Sequence, residues 1–144
     1  MDPLILAEKL EALRRCVKRV EERRAPSADM LRADIDRQDI LALNLTRAVQ
    51  LCVDIASHVL TDTEQAAPQT MGEAFDLLAK EGVIPEALGK RLRGAVGFRN
   101  VAVHSYDAIN WDIVHVISHE GLEDFRSFAA AIAALLRKRT PNLP

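Results

Sequence analysis

The chain has 144 residues, 49% hydrophobic and 28% charged, with a formal net charge of −2. That profile fits one globular domain over residues 1–144 with a real core; it excludes a disordered chain and any global basic field for holding nucleic acid. Aromatic residues make up only 4%, so the core must be built mostly of Leu, Ile, Val and Ala, which favours helices packed on helices.

Asp2 followed by Pro3 predicts a helix start, a capping side chain followed by a ring already set to helical φ. Leu6, Leu10, Leu13, Val17 and Val20 then form one apolar stripe on a first helix ending near Arg24, before Pro26. Its other faces carry Arg14, Arg15, Lys18 and Arg19 among Glu8, Glu11, Glu21 and Glu22, a mixture that reads as a solvated surface. A second helix is predicted to start between Ser27 and Asp36 and run to about Leu60, with Leu41, Leu45, Ala48, Cys52, Ile55 and Val59 inward. Thr61 to Gln69 reads as a loop. Thr70-Met71-Gly72-Glu73 matches a capping box opening a third, shorter helix, for which Gly82 supplies the stop. Pro85 opens a fourth. Asn110 caps a fifth that runs to about Arg139, with Leu122, Phe125, Ala129, Ile132 and Leu136 inward and Pro141 as its stop. Gly121 inside that helix costs about 1 kcal/mol against Ala and marks a bend or a close approach. No period-2 alternation or hairpin signal appears, so the expected architecture is all-α, an up-and-down bundle of four or five helices.

Cys16 and Cys52 lie far apart in sequence and outside any metal-type spacing, which argues against a disulfide framework and for a reduced, cytoplasmic setting. No run of about 20 apolar residues predicts a membrane span, and Met1-Asp2-Pro3 does not open like a signal peptide.

The fourth helix carries the chemistry, in Arg99-Asn100-Val101-Ala102-Val103-His104-Ser105-Tyr106. A neutral imidazole accepts a proton near pH 7 and an imidazolium returns it. A guanidinium offers a fork of donors matched to phosphate oxygens. Together they suit attack on a phosphodiester without a metal; the plainer alternative is an arginine and a histidine paired with core or surface groups. Projected at 100° per residue, Leu88, Leu92, Ala95, Val96, Ala102 and Val103 share one side of this helix. Lys90, Arg93, Gly97, Asn100 and His104 share the opposite side, within about 80° of each other. Asn100 and His104 are i, i+4 neighbours, so Asn100 can orient the imidazole or contact a substrate, while Lys90 and Arg93 add local positive charge. Arg99 falls about 140° from His104, in the apolar stripe. An acidic partner, a turn of the side chain to the helix edge, a partner subunit on the stripe, or a helix end or π-bulge before His104 would each reconcile it. Gly94, Gly97 and Val101 form a patch where another backbone, of this chain or of a second copy, can come close.

Other candidates carry less. His115 and His119 stand i, i+4, a spacing able to hold one metal, but no third ligand follows from the pattern, so no metal site is expected. No glycine loop matches a nucleotide fingerprint and no serine sits in a nucleophile elbow, so no cofactor is expected.

Arg99, four residues, His104, one residue and Tyr106 resemble the R-x4-H-x-Y signature of the HepT toxins of HepT–MntA systems, small α-helical ribonucleases of the HEPN superfamily. Asn100 supplies the polar residue and Val101, Ala102 and Val103 the apolar run of the wider HEPN pattern. The likeness extends to Leu51 to Leu60, to Glu73 through Gly82, to Gly97-Phe98 before the motif and to Leu122-Glu123-Asp124-Phe125. The resemblance implies a single HEPN-like domain acting as a homodimeric, metal-independent endoribonuclease on tRNA or mRNA. Arg99 and His104 from both protomers would then line one cleft. It implies products ending in a 2′,3′-cyclic phosphate, and a minimal nucleotidyltransferase antitoxin (MntA-like) that adds AMP to Tyr106. The alternative of another class is a non-catalytic HEPN module that binds a nucleotidyltransferase.

Overall fold

The computed structural model describes residues 1–139; the expected stop at Pro141 lies outside them. Among the described residues there are seven α-helices and no strand: α1 (Pro3–Arg23), α2 (Ala28–Arg32), α3 (Ile35–Leu60), α4 (Met71–Lys80), α5 (Glu86–His104), α6 (Trp111–His119) and α7 (Leu122–Arg139). A single 3₁₀ turn, Tyr106–Ala108, follows α5.

Side-chain caps set most of these boundaries. Asp2 Oδ1 accepts from the backbone N–H of Leu4 at 3.0 Å and starts α1, and Thr70 accepts from Glu73 N–H at 3.1 Å and starts α4. Gly82, at φ 77°, reverses the chain after α4 in a conformation that glycine adopts without a Cβ penalty. The expected second helix is two helices. Ser27 accepts from Met30 N–H and Asp34 from Arg37 N–H, so each serves as an N-cap, and the second cap closes off α2 before α3 begins.

The expected fifth helix is also two. A Cβ at Gly121 would lie 2.7 Å from the carbonyl oxygen of Ile117, a contact no other residue tolerates without rearrangement. There the chain breaks between α6 and α7, and Gly121 N–H bonds the carbonyl of Val116.

α3 is the central element and packs against α1, α4, α5, α6 and α7. By length and composition it is apolar enough to cross a membrane, contrary to the expectation that no segment would be. Here it is the core helix, burying Leu41, Leu45, Ala48, Cys52, Ile55 and Val59 as its stripe requires. Phe75 of α4 and Phe128 of α7 meet edge to face beside it, ring centroids 6.0 Å apart. α1 runs antiparallel to α3: Lys9 pairs with Asp54 near one end, and Arg37 donates to the Arg24 carbonyl near the other. Cys16 and Cys52 are both free and buried, and burial raises both thiol pKa values, Cys52 the more strongly.

Candidate active site

α5 begins as an ordinary core helix. Leu88, Leu92 and Val96 are buried as the stripe predicts, joined by Phe98. Its charged residues on this half are neutralised: Lys90 stands 3.6 Å from Glu86, and Arg93 pairs with Asp76 of α4. The Arg93 side chain lies over Gly72, where a Cβ would come within 2.9 Å of its Cγ. From His104, Arg93 is eleven residues back and Lys90 fourteen, about 16 and 21 Å along the helix axis.

The last turns differ. Val103, placed inward by the apolar stripe, is 49% exposed, and Val101 is exposed beside it. The helix stays regular through His104, with no π-bulge, and ends when Ser105 N–H bonds the Val101 carbonyl. The 140° between Arg99 and His104 therefore stands, and the long Arg99 side chain bridges much of it. Its Nη1 donates to Asn100 Oδ1 at 3.1 Å, and Asn100 projects between the two, about 40° from His104. No carboxylate neutralises Arg99 among the described residues, and its Nε is buried without an acceptor. Such an orphaned donor costs about 1–3 kcal/mol. His104 is exposed and makes no hydrogen bond or ion pair among the described residues.

Tyr106 stands just past the helix, on the 3₁₀ turn. Its hydroxyl donates to Asp39 Oδ1 of α3, and its ring meets the edge of Trp111, centroids 6.0 Å apart. Burial, and then the Asp39 carboxylate as acceptor and charge, push the phenol pKa well above its ordinary value. The ring is nonetheless 41% exposed, so the hydroxyl is held in place at the surface. Asp39, 67 residues away in sequence, could not be found from spacing.

Beside the motif, α5, α6 and α7 frame an apolar groove of about 450 Å³ lined by Gly94, Gly97, Val101, Ile113, Ile117 and Phe125, among others. A Cβ at Gly94 or Gly97 would meet nothing within 4 Å, so these glycines are not packed against their own protomer. Ile113 and Val116 of α6 are half exposed nearby.

The rings of His115 and His119 meet at a tilt of 51°, centroids 4.5 Å apart. His119 Nε2 lies 2.9 Å from the Ala25 carbonyl, to which it donates, and His115 Nδ1 is buried without a partner. Among the described residues no three His, Cys, Asp or Glu side chains converge on a metal-sized site.

Comparison with known proteins gives a consistent result. A family described as Ribonuclease HepT-like matches residues 10–132. The mRNA nuclease HepT of Shewanella oneidensis is 37% identical over 131 residues, 90% of this chain and 97% of the relative. The tRNA nuclease HepT of Aphanizomenon flos-aquae is 26% identical over 136 residues, covering 94% and 92%. Among solved structures, a tri-AMPylated Shewanella oneidensis HEPN toxin in complex with an MNT antitoxin superposes with a TM-score of 0.84 at 35% identity, over 93% of this chain and 99% of that one.

Proposed function

The chain belongs to the HepT-like ribonuclease family, and from that premise we propose that it is the toxin of a toxin–antitoxin pair, a metal-independent endoribonuclease that works as a homodimer. The observation that carries this reading is the end of α5. An arginine with no acid against it, held by Asn100, stands five residues before an exposed histidine with no hydrogen-bond partner, whereas the same helix neutralises its earlier cations.

His104 acts on the proton of the reaction. As general base it takes the proton of the ribose 2′-hydroxyl as that oxygen attacks phosphorus; as general acid it gives a proton to the departing 5′-oxygen. A cleft shared by two protomers supplies one histidine for each task. Arg99 stabilises the charge that builds on the non-bridging phosphate oxygens, and Asn100 positions its guanidinium. Lys90 and Arg93, too far along α5 to touch the scissile phosphate, lie on the path of flanking RNA.

The second copy occupies the apolar groove. Gly94 and Gly97 leave room for a close backbone approach, and the exposed Val101, Ile113 and Val116 are the kind of surface that association removes from water. Tyr106 is the site at which a nucleotidyltransferase antitoxin adds AMP. Attack of the Tyr106 oxygen on the α-phosphorus of ATP releases pyrophosphate and replaces the hydroxyl proton with a phosphodiester, so the bond to Asp39 is lost, and the new anion beside a carboxylate favours rotation of the side chain towards the His104 cleft, where it obstructs RNA. The similarity to a toxin that is itself tri-AMPylated and held by an MNT antitoxin supports this reading.

The test is incubation of wild type, His104→Ala and Arg99→Ala with total RNA in EDTA, followed by end-group analysis. Cleavage by the wild type alone, leaving 2′,3′-cyclic phosphate ends, is expected. Equal cleavage by all three, or no cleavage by any, overturns the proposal; the latter, together with tight binding to a nucleotidyltransferase, identifies a non-catalytic module.

A further inference from the structure

A second concave surface lies between α1 and α3, a groove of about 680 Å³. Arg15 and Arg19 enter it from α1, and Asn44, Arg47 and Gln50 from α3. These three arginines differ from Arg14 and Arg37 on the same two helices. Arg14 is bound to Glu11 and Arg37 to Asp34, but Arg15, Arg19 and Arg47 make no ion pair or hydrogen bond among the described residues. The acid that lines the groove, Asp54, is already engaged by Gln50 at 3.0 Å and Lys9 at 3.8 Å. Arg15 and Arg47 line the groove together with Cys16, whose thiol pKa is raised by burial against the pull of these two nearby cations. Three guanidinium groups brought to one concavity without a counter-charge repel each other, and a bound anion relieves that repulsion.

The groove lies along the same face of α3 as Asp39, the residue that holds Tyr106. Asp39, Leu43, Arg47, Gln50 and Asp54 recur at spacings of four, four, three and four, so they share one face of α3. Asp39 holds Tyr106. Arg47 stands eight residues further along, about 12 Å up the axis, and Arg15 and Arg19 are i, i+4 neighbours on the facing helix, about 6 Å apart. The anion that fits is therefore an extended chain of phosphates that passes Tyr106 and continues between the helices. Leu43, half exposed at the mouth, offers an apolar surface for a base.

We propose that the α1–α3 groove binds the backbone of single-stranded RNA running on from the His104 site, with Arg15, Arg19 and Arg47 each engaging a phosphate. The identity of the ligand rests on the ribonuclease reading; the existence of an anion track does not. The track also explains how a chain of net charge −2 can hold a polyanion: the positive charge is local.

The experiment measures binding of a fluorescently labelled single-stranded RNA to His104→Ala protein produced without a nucleotidyltransferase. In that background Arg15→Gln, Arg19→Gln and Arg47→Gln are combined. A control carries Arg23→Gln, Lys80→Gln and Lys138→Gln, which remove equal charge elsewhere. The groove variant is expected to bind about tenfold or more weakly at low salt. Its plot of log affinity against log salt should be shallower by about 2, the effect of losing three contacts to a single strand. The control should change little. Arg47→Gln alone, which guards against misfolding of the triple variant, should lower the slope by about 0.7. Equal affinity and slope in groove variant and control overturn the proposal. So does a groove variant that keeps RNA binding but loses a nucleotidyltransferase partner, since the groove is then a protein interface. Cleavage by the wild type is scored separately: its absence with the groove effect intact sinks the ribonuclease reading alone, and its presence without a groove effect sinks the groove alone.

Discussion

The two halves of α5 are built on opposite rules. Up to Val96 the helix satisfies itself: Leu88, Leu92 and Val96 are in the core, Lys90 and Arg93 have acids, and Gly89 packs against the Phe75 carbonyl. From Gly97 onwards the same helix leaves valines in solvent, a guanidinium without a carboxylate, a buried N–H without an acceptor and an imidazole without a partner. A helix optimised for stability alone would not end this way. The contrast teaches where to look: the half that fails to satisfy itself is the half on which the proposed second protomer and scissile phosphate fall.

The sharpest way to break that contrast is at His104. His104→Ala should lower RNA cleavage by about a thousandfold or more, with stability unchanged within about 0.5 kcal/mol because the side chain is exposed; Arg99→Ala should lose about 10²–10³. A large drop in melting temperature for His104→Ala would mean that the C-terminal half is structural after all. Next in size is a paired truncation. Leu92→Ala, at a residue 1% exposed, should cost about 2–5 kcal/mol in denaturant unfolding. Val101→Ser, in the proposed dimer groove, should cost less in the protomer but shift sedimentation from dimer towards monomer. Similar unfolding losses for both, with association unchanged, would erase the distinction.

A third test uses the fact that Tyr106 is the chain's one tyrosine. Its ultraviolet titration should have a midpoint above the ordinary value of about 10, and Asp39→Asn should bring it back towards that value. The sign for stability follows. The folded chain holds the phenol neutral while the unfolded chain ionises near pH ~10, so stability falls as pH rises through that point. An ordinary midpoint in the wild type would show that the Asp39 contact does not form in solution. The smallest effect is at Gly97. With open space around its missing Cβ, Gly97→Ala should stabilise a monomeric Val101→Ser background by up to about 1 kcal/mol, yet weaken self-association in the wild-type background. Unchanged association would leave that glycine face without a partner.

Much of the fold is readable because local chemistry writes it. Asp2, Thr70, Gly82 and Asn110 each act within four residues of themselves, and the helices begin or end where those residues say. The departures have local causes too. Ser27 and Asp34 stand close enough to read as one broad start, although each caps its own helix. Gly121 reads as a bend, but the Ile117 carbonyl leaves no room for the helix to go on. The motif residues are legible from their order in sequence. How Arg99 comes round to Asn100 depends on side-chain length, which a helical projection ignores. Asp39 under Tyr106 and the meeting of Arg47 with Arg15 and Arg19 arise only when α1 and α3 are laid side by side. On the sequence, Arg15 and Arg19 look like any solvated surface charge.

The edge contact between Tyr106 and Trp111 has a practical consequence. Each is the sole residue of its type in the chain, and their rings are 6.0 Å apart. The protein thus carries its own fluorophore against the residue proposed to be modified. Trp111 emission should report, without any added label, when Tyr106 leaves Asp39, when an adenine comes to lie beside it, and how quickly an antitoxin brings that about.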